Sequence, residues 1–353
     1  MSFPDGWGWR IKLTSDNTKV SASIKGLAID LSNIASADFW GNVKSDGSDI
    51  RITTDEAGTS LVARDVISID TTAETGLIRL DTSGISTSAD TDYYVWYGNA
   101  SATEPAAGDT YGQYNTYDSG LVGYWVGGSG STFTDRSQNQ HHGTLDGATF
   151  ESSETFLGIP AVDLTSTDRI TFPNMDSLFG TNGTFIPWLR RLQNTPPPNN
   201  DKRGSWLFYD TSMDDSHYPW SNGSIYESTF RTSRANDISD SGFDKTQLHR
   251  LLVKSSAVAN GWVLKQNNIT RRTENGQSFT TVGGSSTQFG YTGSRYWEGY
   301  LYSLMLFSIK LTDNEDETMY NNESDNASFW AFGTPEETAA PVGGRPLKLL
   351  RGL

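Results

Sequence analysis

The run Asp215-Ser216-His217-Tyr218-Pro219-Trp220-Ser221-Asn222-Gly223-Ser224-Ile225-Tyr226 sets an imidazole, two phenols and an indole beside an amide and hydroxyls. That mixture suits a carbohydrate. Aromatic faces cover the C–H side of a pyranose, and amide and hydroxyl groups exchange hydrogen bonds with its hydroxyls. His217, Tyr218, Trp220, Asn222 and Tyr226 are therefore candidate glycan-binding residues, although the same run also reads as a packed loop turned at Asn222-Gly223. A second candidate is Asp135, which opens Asp135-Arg136-Ser137-Gln138-Asn139-Gln140-His141-His142-Gly143. Its carboxylate can hold a tight turn through nearby backbone N–H groups, or it can contribute to a Ca2+ site. Calcium takes about six to eight oxygens, and Asp135 with backbone carbonyls supplies only some of them.

Catalytic patterns are harder to find. A retaining glycosidase needs two carboxylates about 5 Å apart, which on one strand face means residues two or four apart. No Glu-x-Asp-x-Glu string occurs. The acids Asp313, Glu315, Asp316 and Glu317 follow Thr312, and Thr312 with Glu315 forms a capping box at a helix start. Asp46, Asp49, Asp90 and Asp92 sit in turns and at strand ends, where metal binding is the alternative to a structural role. The four histidines, His141, His142, His217 and His249, lack the spacing of a zinc helix, and no G-x-S-x-G occurs. The chain is expected not to be an enzyme, with a glycan-active hydrolase or lyase as the alternative.

The elements that must position these residues are strands. Period-2 alternation marks Arg10–Leu13, Leu27–Leu31, Ile50–Thr53, Leu61–Ile69, Leu77–Leu80 and Tyr93–Tyr97. Turn chemistry separates them at Ser45-Asp46-Gly47, Glu56-Ala57-Gly58 and Gly98-Asn99-Ala100. Further strands are expected at Leu121–Trp125, Ala161–Leu164, Arg169–Phe172, Thr184–Leu189, Trp206–Tyr209, Leu248–Val253, Gly261–Asn267 and Trp297–Phe307. A short helix is expected near 312–320. The segment Arg190–Arg203 holds three prolines and reads as an exposed loop. The fold class is all-β, with two antiparallel β-sandwiches. The expected division is an N-terminal sandwich over 1–102, a linker over 103–119, a second β domain over 120–332, and a linker with a docking tail over 333–353. In that tail Arg345, Leu347, Lys348, Leu349, Leu350 and Arg351 form a basic, apolar peptide suited to a partner subunit.

Composition narrows the partners. A net charge of −15 opposes phosphate binding, so nucleic acid is not expected. No run of about 18 apolar residues occurs, so membrane insertion is not expected. The N-terminus lacks the basic and apolar regions of a secretory signal. Cysteine is absent, so disulfides are excluded.

Two resemblances add to this reading. Residues 3–102, through Lys44-Ser45-Asp46-Gly47-Ser48-Asp49-Ile50-Arg51 and Tyr94-Val95-Trp96-Tyr97-Gly98-Asn99, look like an uncharacterised β domain. That domain often precedes lectin-like modules in bacterial surface proteins and phage structural proteins. From Gly120, Leu121-Val122-Gly123-Tyr124-Trp125 followed by Asp135-x-Ser137-x-Asn139-x-His141-x-Gly143 resembles the laminin-G-like, concanavalin A-like lectin/glucanase superfamily. Trp297–Phe307 resembles its closing strand. The resemblance implies that the second domain is a concanavalin A-like jelly roll. Gln138 and Val126-Gly127-Gly128 depart from the family pattern and weaken a calcium site there. The function implied is that of a virion structural protein, a phage spike, fibre or capsid-surface component. It would display a lectin-like domain to host-surface glycan and contact other virion proteins through the tail. It is expected to be a homo-oligomer, assembled in the host cytoplasm and acting at the virion surface. A bacterial surface adhesin is a further alternative.

Overall fold

The computed structural model describes residues 3–165, 167–194, 216–231, 233–239, 242–257, 261–275, 279–281, 287–291 and 296–338. It is nearly all antiparallel β, as the alternation predicts, with three short α-helices among the described residues. The N-terminal strands are β1 (Trp9–Ser15), β2 (Leu27–Asp30), β3 (Arg51–Thr53), β4 (Leu61–Val62), β5 (Arg64–Asp70), β6 (Thr75–Leu80) and β7 (Asp92–Tyr97). They form one sheet around β1-β7-β3-β4 and a second ordered β2-β6-β5. Ile11 and Leu13 of the first sheet and Ile29 and Ile78 of the second meet in one core, while Lys12 between the first two is exposed.

The second sandwich contains β8 (Leu121–Ser129), β9 (Thr132–Asp135), β10 (Gly143–Asp146), β11 (Thr149–Phe156), β12 (Ile159–Leu164), β13 (Arg169–Thr171), β14 (Asn182–Arg191), β15 (Ile225–Glu227) and β16 (Ala235–Ile238). It continues with β17 (His249–Ser256), β18 (Trp262–Gln266), β19 (Ile269–Glu274), β20 (Gln288–Phe289) and β21 (Gly299–Phe307). The long sheet runs β19-β18-β17-β14-β21-β8-β9-β10-β13-β20, with β12 on β21 and β11 on β12. Phe185, Leu189, Leu251, Val253, Leu304 and Leu306 point to the inner core of this sandwich. The expected strands at 161–164 and 169–172 exist but are not partners of each other. β12 pairs with β11 and β21, and β13 pairs with β10 and β20. The expected strand Trp206–Tyr209, prolines 196–198 and tail residues Arg345–Arg351 lie outside the described residues.

The outer face of the long sheet does not stay bare. Tyr124, Val126, Ile186, Leu252, Met305 and Phe307 are in one apolar cluster with Leu27, Ile29, Ile78 and Leu80. The two sandwiches therefore share a core. The chain then returns to the first. The helix expected at 312–320 is α2 (Asp313–Ser324), counting α1 (Ala37–Asn42) as first, and α3 (Asn326–Phe329) follows. Thr312 accepts from Glu315 N, and Thr312 N donates to Glu315 Oε2 at 2.7 Å, so the capping box forms. Asn322 and Asn326 replace a strand along the edge of β2. Ala28 N donates to Asn322 Oδ1 at 2.7 Å, Asp30 N donates to Asn326 Oδ1 at 2.9 Å, and Ala28 O accepts from both amides. Next, β22 (Trp330–Phe332) and β23 (Glu336–Glu337) both pair with β1. No helix among the described residues is long and apolar enough to cross a membrane.

Candidate functional site

The predicted aromatic run is folded as a bridge and a tight turn against the β15–β16 pair. His217 N donates to Tyr226 O at 2.6 Å and Tyr226 N to His217 O at 3.0 Å. Trp220 N donates to Ser224 O at 2.8 Å, Gly223 N donates to Trp220 O at 2.9 Å, and Gly223 takes φ +86°, where a side chain would be strained. The run before the turn is buried and the residues from Trp220 to Ser224 approach the surface. Tyr218 goes inward, fully buried, with its hydroxyl hydrogen-bonded to Gln266 and its ring 5.1 Å from that of His249. This corrects the expectation for Tyr218, which is a core residue and does not face a ligand. His217 is also buried, as a backing for Trp220 at 4.3 Å between ring centroids.

Three of the five predicted residues reach the surface together. Trp220 and Tyr226 are half-buried with ring centroids 5.8 Å apart, and Asn222 is exposed. Asn222 Nδ2 donates to Tyr226 Oη at 3.1 Å and to Asp237 Oδ1 at 2.8 Å, and Tyr226 Oη donates to the same oxygen at 2.6 Å. Asp237, on β16, was not a predicted residue, because nothing in its local sequence says that β16 lies beside this turn. The Tyr226 and Asn222 donors hold its carboxyl below the usual carboxylate range. Burial and the bond to Asp237 raise the Tyr226 phenol. The Arg234 guanidinium lies 5.2 Å from the centroid of the Tyr226 ring. The result is a rim patch of two aromatic faces and a fixed amide–carboxylate–phenol network.

Asp135 is placed differently from a cation ligand. Its Oδ1 accepts from Tyr124 N at 3.0 Å and Ser137 N at 2.9 Å. Its Oδ2 accepts from His141 N at 2.7 Å and Ser137 Oγ at 2.9 Å. Both oxygens of this buried carboxylate are taken up in closing the turn onto β8, so a cation would have to displace protein donors. Among the described residues there is no group of three or more His, Cys, Asp or Glu able to hold a metal ion. Asp49 likewise accepts from the backbone N–H of Lys44, Gly98 and Asn99. Asp46 accepts from Ser48 N, Asp90 from Asn17 N, and Asp92 pairs with Lys12 at 2.7 Å. Asp313 and Asp316 bind Lys254, Lys265 and Arg250 at 2.6–2.9 Å.

A second constellation is invisible as a motif. Asp163 of β12 is directly opposite Tyr300 of β21, which is directly opposite Arg190 of β14, so the three share one face of the long sheet. Glu154 of β11 joins them. Arg190 Nη2 lies 2.6 Å from Glu154 Oε1, and Tyr302 Oη donates to Glu154 Oε2 at 3.0 Å. The Arg190 guanidinium lies 4.9 Å from the Tyr300 ring centroid. A bulge, in which Leu189 pairs with Leu301 and Trp188 with Ser303, keeps Tyr300 and Tyr302 on this face while Leu304 and Leu306 go to the core. Arg190 Nε and Asp163 Oδ1 are buried atoms with no hydrogen-bond partner. Burial first, then Asp168, Glu151 and Glu154, push the Asp163 carboxyl up.

No family model matches the chain, and no curated protein matches it. Solved structures do. Domain 4 of an extracellular arabinanase from Geobacillus stearothermophilus, in complex with arabinotriose, is 12% identical, with a TM-score of 0.42 over 57% of this chain and 98% of that domain. The receptor-binding domain of botulinum neurotoxin mosaic serotype C/D is 12% identical, with a TM-score of 0.44 over 58% of this chain and 51% of that one. Trypanosoma rangeli sialidase is 9% identical, with a TM-score of 0.45 over 75% and 43%. The chain thus spans about half the length of the toxin domain and of the sialidase, and these likenesses are ones of fold. The expectation that the chain is not an enzyme is corrected, because sialidase structures and a domain of an arabinanase are among the matches. The physical weakness of that expectation is plain in Glu154 and Asp163. Carboxylates that reach one face from different strands leave no string in the sequence.

Proposed function

We propose that the second sandwich binds a glycan through the rim patch of Trp220, Asn222, Tyr226 and Asp237. The observation that carries this reading is the pairing of half-exposed aromatic rings with a fixed hydrogen-bonding network whose acceptor is a carboxylate held ionised. Trp220 supplies the stacking face, and Asn222 and Asp237 face the sugar hydroxyls. In the finer form of the proposal, the chain is a virion surface component that presents this patch to host glycan and contacts neighbouring virion proteins, with homo-oligomers as the working unit. That form rests on the resemblances of 3–102 and of the strands from Gly120 onward.

The test is a glycan array on the full chain, followed by calorimetry on each hit. Trp220→Ala should weaken binding at least tenfold, about 1.4 kcal/mol, and Asn222→Ala several-fold. An array without hits, or unchanged affinity in Trp220→Ala, would refute the rim site. Mass spectrometry of purified virions should detect the polypeptide, and its absence there would refute the virion form alone.

A further inference from the structure

Residues 103–119 read as a linker in the sequence, and the structure fastens them down. Gln113–Thr116 forms a 3-10 turn. Gln113 Nε2 donates to Arg136 O at 2.6 Å, Tyr114 N to Ala107 O at 2.9 Å, and Asn115 Nδ2 to Asp109 O at 2.8 Å. The Tyr117 hydroxyl donates to the buried Asp65 carboxylate at 2.5 Å. Held in this way, Tyr114, Asp118 and Ser119 wall a cavity of about 250 Å³. Lys25 of the first sandwich and Gln138 of the Asp135 turn close it from the other sides, over the buried Tyr117 and Leu121. The cavity thus lies where the linker and both sandwiches meet, and its walls are fixed before any ligand arrives.

We propose that this cavity binds a single neutral sugar ring. A pyranose packs its C–H side on Tyr114, and its hydroxyls bond to Asp118, Ser119 and Gln138. Four features select that ligand. The volume falls just under the range of about 300–1,000 Å³ of ordinary ligand pockets, so it takes one ring and not a chain. The half-buried Tyr114 ring has no aromatic or cationic neighbour among the described residues, so its face is free to stack. The polar groups are within reach of a ligand and offer both donors and acceptors, as a polyol requires. Asp118 gives one oxygen to Gly120 N at 2.8 Å, and its other oxygen is open to solvent and accepts from no protein group among the described residues. The exposed Ser119 hydroxyl and Gln138 amide make no hydrogen bond to the described protein either. Lys25 donates to Asp81 at 2.8 Å and to Asn115 O at 3.3 Å, which leaves a third proton. The last feature is charge. Asp81 balances Lys25, so Asp118 leaves the wall negative and repels sialic acid, uronic acids and phosphate. Gln138, where the turn departs from the family pattern, is the residue that brings an amide to this wall. The site shares no residue with the rim patch and does not rest on it.

Ligand-observed NMR on the full chain tests this, with the methyl glycosides of glucose, mannose, galactose and sialic acid as probes. All measurements are made in a Trp220→Ala background, which silences the rim patch, so the two sites succeed or fail separately. Saturation should pass from the protein to the ring protons of at least one neutral glycoside and not to the sialoside. Adding Tyr114→Ala or Asp118→Asn should weaken that glycoside about tenfold, the loss expected of one stacking face or one hydrogen bond to a charged group. Gln138→Gly should weaken it several-fold. Asp118→Asn keeps an oxygen for Gly120 N, and the Gln138 side chain has no protein partner to lose, so both should melt as the background does. Transfer to no neutral glycoside would overturn the proposal. So would transfer unchanged in folded Gln138→Gly and Asp118→Asn, or equal transfer to the sialoside.

Discussion

Removing Glu323 should loosen both sandwiches at once. Its carboxylate and the Arg79 guanidinium are each 1% exposed and lie 2.6 Å apart. Glu323 Oε2 also accepts from the Trp188 indole at 2.6 Å, while Arg79 donates to Tyr124 Oη at 2.9 Å and Gly26 O at 2.6 Å. Arg79 belongs to β6 of the first sandwich, Tyr124 and Trp188 to the second, and Glu323 to the helix that returns between them. Glu323→Ala leaves a buried guanidinium without its counter-charge, which costs about 3–5 kcal/mol, and it strips Trp188 of its acceptor. Against a typical total of about 5–15 kcal/mol this is a large fraction. Urea unfolding followed by tryptophan fluorescence and by circular dichroism reads the effect. The wild type should unfold with coincident transitions, because the shared core leaves neither sandwich complete alone. Glu323→Ala should lower the midpoint of both probes, and Arg79→Met with Glu323→Leu should recover most of the loss, since paired apolar replacements avoid the stranded charge. A cost below about 0.5 kcal/mol for Glu323→Ala, or a double variant no more stable than the single, would refute the assignment of this network as the junction.

Two other changes test the interior. His249 is fully buried, and burial lowers its imidazole to about 4. The folded state thus binds a proton less readily than the unfolded chain. Stability is full above the unfolded value near 6.5 and is lost as pH falls toward 4, by about 3 kcal/mol at most. His249→Leu should flatten that slope in denaturation curves taken between pH 7 and pH 4, and an unchanged slope would show that His249 is not the group responsible. Asp135→Asn turns an amide nitrogen toward backbone donors and should cost about 2–3 kcal/mol, with melting of the wild type unmoved by millimolar calcium. A calcium-dependent rise that Asp135→Asn abolishes would restore the cation role.

What could be read from the chain, and what could not, follows from range. Strand alternation and the Thr312–Glu315 cap are decided by residues within a few positions, and both appear where expected. The Asp135 turn is equally local, since its donors Ser137 and His141 lie two and six residues away. The aromatic run is recognisable as a composition, but which of its rings are buried is not. Tyr218 and Trp220 are two apart, which an extended strand would put on one side, and it is the tight turn after the His217–Tyr226 bridge that leaves Tyr218 inside and Trp220 at the surface. Asp237 is further removed, because it meets Asn222 through a hairpin register that no motif encodes. Least legible is the row Asp163–Tyr300–Arg190, which exists only once β12, β21 and β14 are ordered side by side.

Once that order is known, a gradient in residue type along single strands becomes informative. On β14 the outward positions run Ile186, Trp188, Arg190. On β21 they run Phe307, Met305, Tyr302, Tyr300. β14 passes from aliphatic through buried aromatic to half-buried polar, and β21 passes from buried Phe307 and Met305 through buried Tyr302 to half-buried Tyr300, in the same direction across the sheet. The aliphatic part of the series lies where the first sandwich covers the sheet. A fully solvated surface would place short polar residues or lysines beyond the covered zone, where this face instead carries a half-buried arginine–glutamate pair bonded to Tyr302. Holding Arg190, Glu154 and Tyr302 in one geometry costs side-chain entropy that a surface ion pair of about 0–1 kcal/mol does little to offset. At the edge of the covered zone the Trp188 indole is fixed by its bond to Glu323 and packs against Phe156 and Tyr320, so the network lies directly against a side chain tied into the junction of the two sandwiches.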